Sequence, residues 1–303
     1  MFPIKIYLGT QVEQSLAVDV LTYSILRHTQ QKIQIAPLYE AVQTAGIEIP
    51  TPSVRQLRPR TPFTFQRFAI PALCGYQGRA IYLDSDMLVL KDIDLLWQQP
   101  FAGADLLSVP EPEGSTRSPQ YSVMLMNCEQ LDWDVVQLVN DLIQGKWTYQ
   151  QFVLEMAPAK RKAATLPPGW NELECYTPGH SDLVHYTDMP RQPWLSVVNP
   201  YASLWCDTLL TAISEGAITR ETVRDSVEKG WVRPSLLYQV DKGIADPQQI
   251  PVEVLRRDAH TFTPPHVWQR FLRSPMLQGK RSRQVFSRTY SFLKATRQKV
   301  SRG

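Results

Sequence analysis

The residues best placed to do chemistry are two aspartates two positions apart, Asp84 and Asp86, which follow the apolar run at 80–83. Side chains two apart on an extended chain project to the same side, so the two carboxylates are expected to converge while Ser85 faces away. Carboxylates held that close repel each other unless a proton or a cation compensates, and at neutral pH a divalent metal is the natural partner. A cation there would attract further negative oxygens, such as those of a diphosphate. Taken alone the triplet is a weak signal, because a solvated turn or a helix cap uses the same residue types.

The elements around the pair strengthen it. A short apolar strand at 3–8 turns at Gly9 and Thr10 into a helix at 13–28, whose Leu16, Val20 and Tyr23 recur at helical spacing. A second strand is expected at 32–38. The proline-rich stretch at 49–62 is expected to be loop, since proline removes backbone donors and biases the residue before it away from helix. Residues 65–75 read as a helix despite Pro71, and Gly75 and Gly78 bracket the turn into the strand at 80–83. Further strands are expected at 104–109 and 121–126. Strands separated by helices predict a mostly parallel sheet flanked by helices, a Rossmann-like α/β arrangement. In such sheets ligands bind beyond the carboxyl ends of the strands, where the acidic pair lies.

The segment RFAIPALCGYQGRAIYLDSDMLVLKDIDLLW, residues 67–97, closely resembles the central signature of the family 8 retaining glycosyltransferases, in particular their bacterial lipopolysaccharide branch. The resemblance runs from Ile4 to Trp194 and is strongest over 63–97. It implies a GT-A type fold, a UDP-sugar donor, and a divalent ion, Mn2+ or Mg2+, bound by Asp84 and Asp86. A third ligand is expected from a distant segment, since manganese accepts imidazole along with carboxylates. The run HYTDMPRQPW at 185–194 resembles the family motif His-x-x-Gly-x-x-Lys-Pro-Trp, which makes His185 that ligand and Arg191 the diphosphate contact. Asp188 stands in place of the glycine, and Gln192 is an extra residue. Arg67 matches an arginine that contacts the donor sugar in relatives; a helix-surface residue or a structural ion pair is the other reading.

The resemblance adds weaker matches. Gly9 and Thr10 end the first strand where relatives approach the nucleotide, and Ser85 belongs with them among the donor contacts. The run QYSVMLMN at 120–127 aligns with a strand that begins Asn-x-Gly in many relatives, with Gln120 and Ser122 in those places. Where relatives carry an Asp-Gln pair, this chain has Tyr149-Gln150-Gln151. Gln120 and Gln150 are therefore the positions matching catalytic residues, and no acidic base is assigned from Glu155, Glu172 or Glu174. The last two lie in LPPGWNELE at 166–174, similar to a Leu-Pro-x-x-Trp-Asn run of the bacterial branch.

The expected organisation is a nucleotide-sugar-binding catalytic domain at 1–199 and a helical C-terminal extension at 200–303. No apolar run approaches the roughly 18 residues of a membrane span, and no export signal is read at the N-terminus. The four cysteines are scattered, as in a reduced, cytoplasmic protein. The net charge of +3 conceals an asymmetry: residues 259–303 hold ten Lys or Arg and no acid, leaving 22 basic against 29 acidic residues elsewhere. Within 280–302 the basic residues interleave with Phe286, Tyr290 and Leu293 on one helical face. That pattern suits a helix on an anionic membrane surface, which would make the protein peripheral on the inner face of a membrane; a solvated tail is the plain alternative, and nucleic acid is not an expected partner.

The reaction expected is hexosyl transfer from a nucleotide diphosphate donor, with retention, to a glycan, lipid-linked or other hydroxyl acceptor. Two alternatives stand beside it: a sugar nucleotidyltransferase, and a degenerate relative that binds nucleotide or glycan without turnover.

Overall fold

In the computed structural model, residues 3–111, 114 and 121–267 are described. Their contacts divide the chain into two compact units, Met1–His185 and Tyr186–Gly303.

Among the described residues nine strands build the first unit: β1 (Ile4–Gly9), β2 (Ile33–Pro37), β3 (Arg79–Asp84), β4 (Met87–Val89), β5 (Leu106–Ser108), β6 (Val123–Asn127), β7 (Lys162–Ala163), β8 (Glu172–Leu173) and β9 (Leu183–His185). Six form the main sheet in the order β2-β1-β3-β6-β5-β7, and three form a small sheet in the order β4-β9-β8. In the main sheet β2, β1 and β3 are parallel neighbours, as are β5 and β7, while β6 runs antiparallel to both β3 and β5. The mostly parallel α/β sheet expected from the sequence is thus observed, with β6 inverted.

The sheet is buried on both faces because its strands are apolar at consecutive positions. Ile4, Ile6, Leu8, Ile81, Leu83, Val123 and Leu125 enter one core with Val18, Leu21 and Ile25 of the helix Ser15–Arg27. Tyr7, Ala80, Tyr82, Met124 and Met126 enter the other, with Phe65, Phe68, Trp133 and Phe152. Each fully buried aliphatic side chain contributes about 1.5–3 kcal/mol relative to exposure, so the strand that ends at Asp84 is held firmly from both sides.

The single helix expected at 65–75 is instead three short turns: α-helix Phe63–Gln66, 3-10 helix Arg67–Ala69 and α-helix Ile70–Leu73. Pro71 lacks the N–H that a continuous helix would use, and its ring disfavours the preceding turn. The helix expected at 13–28 begins as the 3-10 turn Val12–Gln14 and becomes α-helical over Ser15–Arg27.

The second unit carries the helices Ala202–Ser214, Arg220–Glu228, Pro234–Lys242 and Val252–Thr261. Thr219 caps one, its hydroxyl accepting from the Thr222 N–H, and Gly243 ends another in the left-handed conformation. Arg233 is 1% exposed and donates to the Pro193 carbonyl, Ser235 Oγ, Gln239 Oε1 and Cys206 Sγ. Trp194 packs between Tyr186 and Trp205, at centroid distances of 6.4 and 5.4 Å. Among the described residues no helix is long and apolar enough to cross a membrane.

Candidate active site

Asp84 is the last residue of β3 and Met87 the first of β4, so Asp84-Ser85-Asp86 is the bend by which the chain leaves the main sheet for the small one. The carboxylates therefore converge through a bend, whereas an extended chain was expected. Two backbone bonds fix it: the Asp84 N–H donates to the Ser122 carbonyl and the Ser85 N–H to the Gly9 carbonyl, both at 3.1 Å. Strand register supplies the third residue. In the antiparallel β4–β9 pair, Met87 lies opposite His185, which brings the imidazole beside Asp86. β4 is held in turn by the helix Ser15–Arg27, where Ser24 Oγ accepts the Val89 N–H at 3.1 Å.

One ligand atom from each of Asp84, Asp86 and His185 lies within 4.8 Å of the others. His185 is 4% exposed, with Nε2 3.1 Å from Asp86 Oδ1 and Nδ1 2.9 Å from Asn171 Oδ1. Tyr82 donates its hydroxyl to Asp84 Oδ1 at 2.6 Å. Burial, then the charge of Asp86, pushes the Asp84 carboxyl up to about 6, against the opposing pull of His185, Tyr82 and Arg67. Burial alone would lower the His185 imidazole, but the charge of Asp86 and its hydrogen bond, with Asp84 behind them, raise it. Two crowded carboxylates and one imidazole are a donor set that could hold a divalent cation, whose charge would offset the repulsion between Asp84 and Asp86.

The remaining sequence-derived positions are placed as follows. Gly9 ends β1 opposite Asp84, and a Cβ there would fall 2.2 Å from the Tyr82 hydroxyl. The glycine thus makes room for the group that holds Asp84. Thr10 and Ser85 are buried, at 1% and 2% exposure. Arg67 is 7% exposed; its guanidinium donates to the Tyr121 carbonyl at 3.4 Å and the Val153 carbonyl at 3.1 Å, and its Nε has no partner. No carboxylate of the described residues forms an ion pair with it, although its charge reaches Asp84. Gln150 is exposed and donates to Glu155 Oε1 at 2.8 Å. Arg191 belongs to the second unit, where it pairs with Asp188 at 3.6 Å and donates to the Val198 carbonyl. Gln120 and the basic segment at 280–302 lie outside the described residues.

The sequence reading missed Asn171, Tyr82 and the contribution of Ser122. Asn171 ends the 3-10 turn Pro168–Asn171, and its signal was the Trp-Asn of the run at 166–174.

The family model described as Glycosyl transferase family 8 matches residues 15–152, so the resemblance read from the Asp84 segment is upheld over that stretch. Protein CDI of Arabidopsis thaliana is 32% identical over 92 residues, covering 30% of this chain and 34% of that protein. The apo structure of the WbbM bifunctional glycosyltransferase has a TM-score of 0.51 at 15% identity, over 68% of this chain and 49% of that one. The glycosyltransferase GlyE of Streptococcus pneumoniae TIGR4 gives 0.51 at 14%, over 78% and 66%. The matches thus span about a third of the curated relative and about half of WbbM. At such identities the structural likeness is one of fold, the GT-A type arrangement.

Proposed function

We propose that this chain transfers a glycosyl group from a nucleotide diphosphate sugar, in first place a UDP-sugar, to a hydroxyl acceptor with retention, at a site built on Asp84, Asp86 and His185. The observation that carries the reading is the convergence of those three side chains, two from a bend and one 99 residues on, within 4.8 Å of one another. The family 8 match over 15–152 supports the reaction class.

Asp84, Asp86 and His185 would hold the divalent ion, which when bound acts as a Lewis acid toward the diphosphate and stabilises charge on the leaving oxygen. The chain's own residues do the rest. Tyr82 orients Asp84 by donating to one of its oxygens. Arg67, cationic, buried and bonded only to carbonyls, offers its unpartnered Nε to an anionic or hydroxyl-bearing donor. The buried residues Ser85, Ser122 and Thr10 at the ends of the central strands keep the carboxylates partly out of water, where their electrostatic effect is larger. The ten basic residues of 259–303 support attachment to an anionic membrane surface and an acceptor found there, a glycan or a lipid-linked glycan.

The deciding experiment is a panel of UDP- and GDP-sugars incubated with Mn2+ and the intact protein or its Asp86→Ala variant, followed by release of nucleotide diphosphate. Turnover by the intact protein and its loss in the variant is expected. Equal release from both would overturn the assignment. A second reading, a relative that binds a nucleotide sugar without turnover, is favoured by one observation: Gln150, at the position of the family's catalytic pair, is exposed and engaged by Glu155. Tight Mn2+-dependent UDP-sugar binding with no hydrolysis or transfer would select it.

A further inference from the structure

Asn171 stands behind the imidazole. The amide can meet Nδ1 only with its oxygen if its nitrogen is committed elsewhere, and it is: Nδ2 donates to Ser122 Oγ at 3.4 Å while Oδ1 lies 2.9 Å from His185 Nδ1. An amide oxygen has no proton to give, so Nδ1 must carry the hydrogen of that bond. The backbone keeps the two groups in line. β8 pairs in parallel with β9, Leu173 opposite His185, which sets Asn171 two residues before that partner. Gly169 in the same turn has no side chain to collide with Asp182, whose carboxylate oxygen would lie 2.6 Å from a Cβ there.

Ser122 closes the loop from the other side, because its carbonyl accepts the Asp84 N–H while its hydroxyl accepts from Asn171. One serine, 2% exposed, thereby ties the backbone of one carboxylate to the orientation of the imidazole.

We propose that Asn171, held by Ser122, is the positioning residue for His185: its amide oxygen accepts the hydrogen bond from Nδ1–H and keeps the proton on that nitrogen, leaving Nε2, the nitrogen that faces Asp86, with the lone pair that binds a divalent cation. This rests on the reading of Asp84, Asp86 and His185 as a cation site. Partners of this kind fix ring orientation and tautomer, and removing them weakens metal binding about 10–100-fold.

The test is Mn2+ binding by electron paramagnetic resonance, with the echo modulation from a coordinated imidazole nitrogen as a second readout. Asn171→Leu keeps the shape and removes the acceptor; Asn171→Asp restores an acceptor oxygen. Asn171→Leu should weaken Mn2+ about 10–100-fold and lose the nitrogen modulation, with Asn171→Asp within about threefold of the parent. Ser122→Ala, which frees the amide to turn over, should fall between them and carries the test if Asn171→Leu does not fold. The proposal is overturned if folded Asn171→Leu binds Mn2+ with unchanged affinity and modulation, or if Asn171→Asp is as weak as Asn171→Leu, or, where only Ser122→Ala folds, if it matches the parent. Failure of the parent protein to bind Mn2+, or indifference to Asp86→Ala, overturns the cation site itself and this inference with it. Binding that Asp86→Ala abolishes and Asn171→Leu leaves intact overturns this inference alone.

Discussion

Replacing Asp84 by asparagine should make the cation-free protein more stable at pH 8, and the size of the gain follows from the site. The folded chain raises the Asp84 carboxyl from 3.8 to about 6, chiefly by burial and then by the nearby charge of Asp86. A group whose folded value is raised stabilises the fold below its unfolded value, and that contribution is lost as pH climbs through the folded value. A rise from 3.8 to about 6 corresponds to roughly 3 kcal/mol at about 1.36 kcal/mol per pH unit. Asparagine keeps an oxygen for the Tyr82 hydroxyl and carries no charge. Denaturation in chelator should therefore show Asp84→Asn ahead of the parent by about 1–3 kcal/mol at pH 8, the gap closing toward pH 4. Saturating Mn2+ should reverse the order, since a ligand at about 1,000 times its Kd adds about 4.1 kcal/mol to the chain that binds it. Equal or lower stability of the variant at pH 8 in chelator would refute the crowding of the carboxylates; equal stabilisation of both chains by Mn2+ would refute the role of Asp84 as a ligand.

Three further outcomes are expected. Tyr82→Phe removes the bond that favours ionised Asp84, so the pH needed for Mn2+ binding should move upward; Gly9→Ala, whose Cβ would meet the same hydroxyl, should do likewise and cost about 1–3 kcal/mol in addition, both read by Mn2+ titration across pH 5–8. Arg233→Met strands the Gln239, Ser235 and Pro193 acceptors of the buried guanidinium and should destabilise the second unit by about 3 kcal/mol or more in calorimetry, while an unchanged melting profile would contradict it. Removal of residues 280–303 deletes eight Lys and Arg and, at about 1 kcal/mol each near an anionic surface, should abolish sedimentation with phosphatidylserine vesicles; equal sedimentation of both chains would place attachment elsewhere.

What could be read from the sequence was set by the length of each signal. β1 and β3 are six residues each, with apolar runs at 6–8 and 80–83 that do not alternate, and stand out as strands covered on both faces. The small sheet was invisible, because two- and three-residue strands such as β8 and β9 carry no periodicity. The break at 63–73 was foreshadowed by Pro71, yet the apolar spacing around it continues at helical intervals, and tertiary packing of Phe65 and Phe68 on Phe152 holds the broken turns in place. The inverted β6 was equally hidden, since strand direction is decided by the connection and leaves no mark on composition.

The site divides along the same line. Asp84 and Asp86 stand two apart in the chain and announce themselves; His185 is joined to them only by the pairing of Met87 with His185 across 98 residues, and Asn171 only by a further pairing, Leu173 with His185. Side chains alternate faces along a strand, so a one-residue slip in β9 would turn His185 away from Asp86 and present Val184 instead. That slip is opposed by burial: Leu183 enters one core, and Val184 and Tyr186 are fully buried as well. The apolar residues flanking His185 are thus what make an imidazole, silent in the local sequence, a dependable neighbour of the acidic bend. An exposed hairpin could carry the same residues without holding them to a single register.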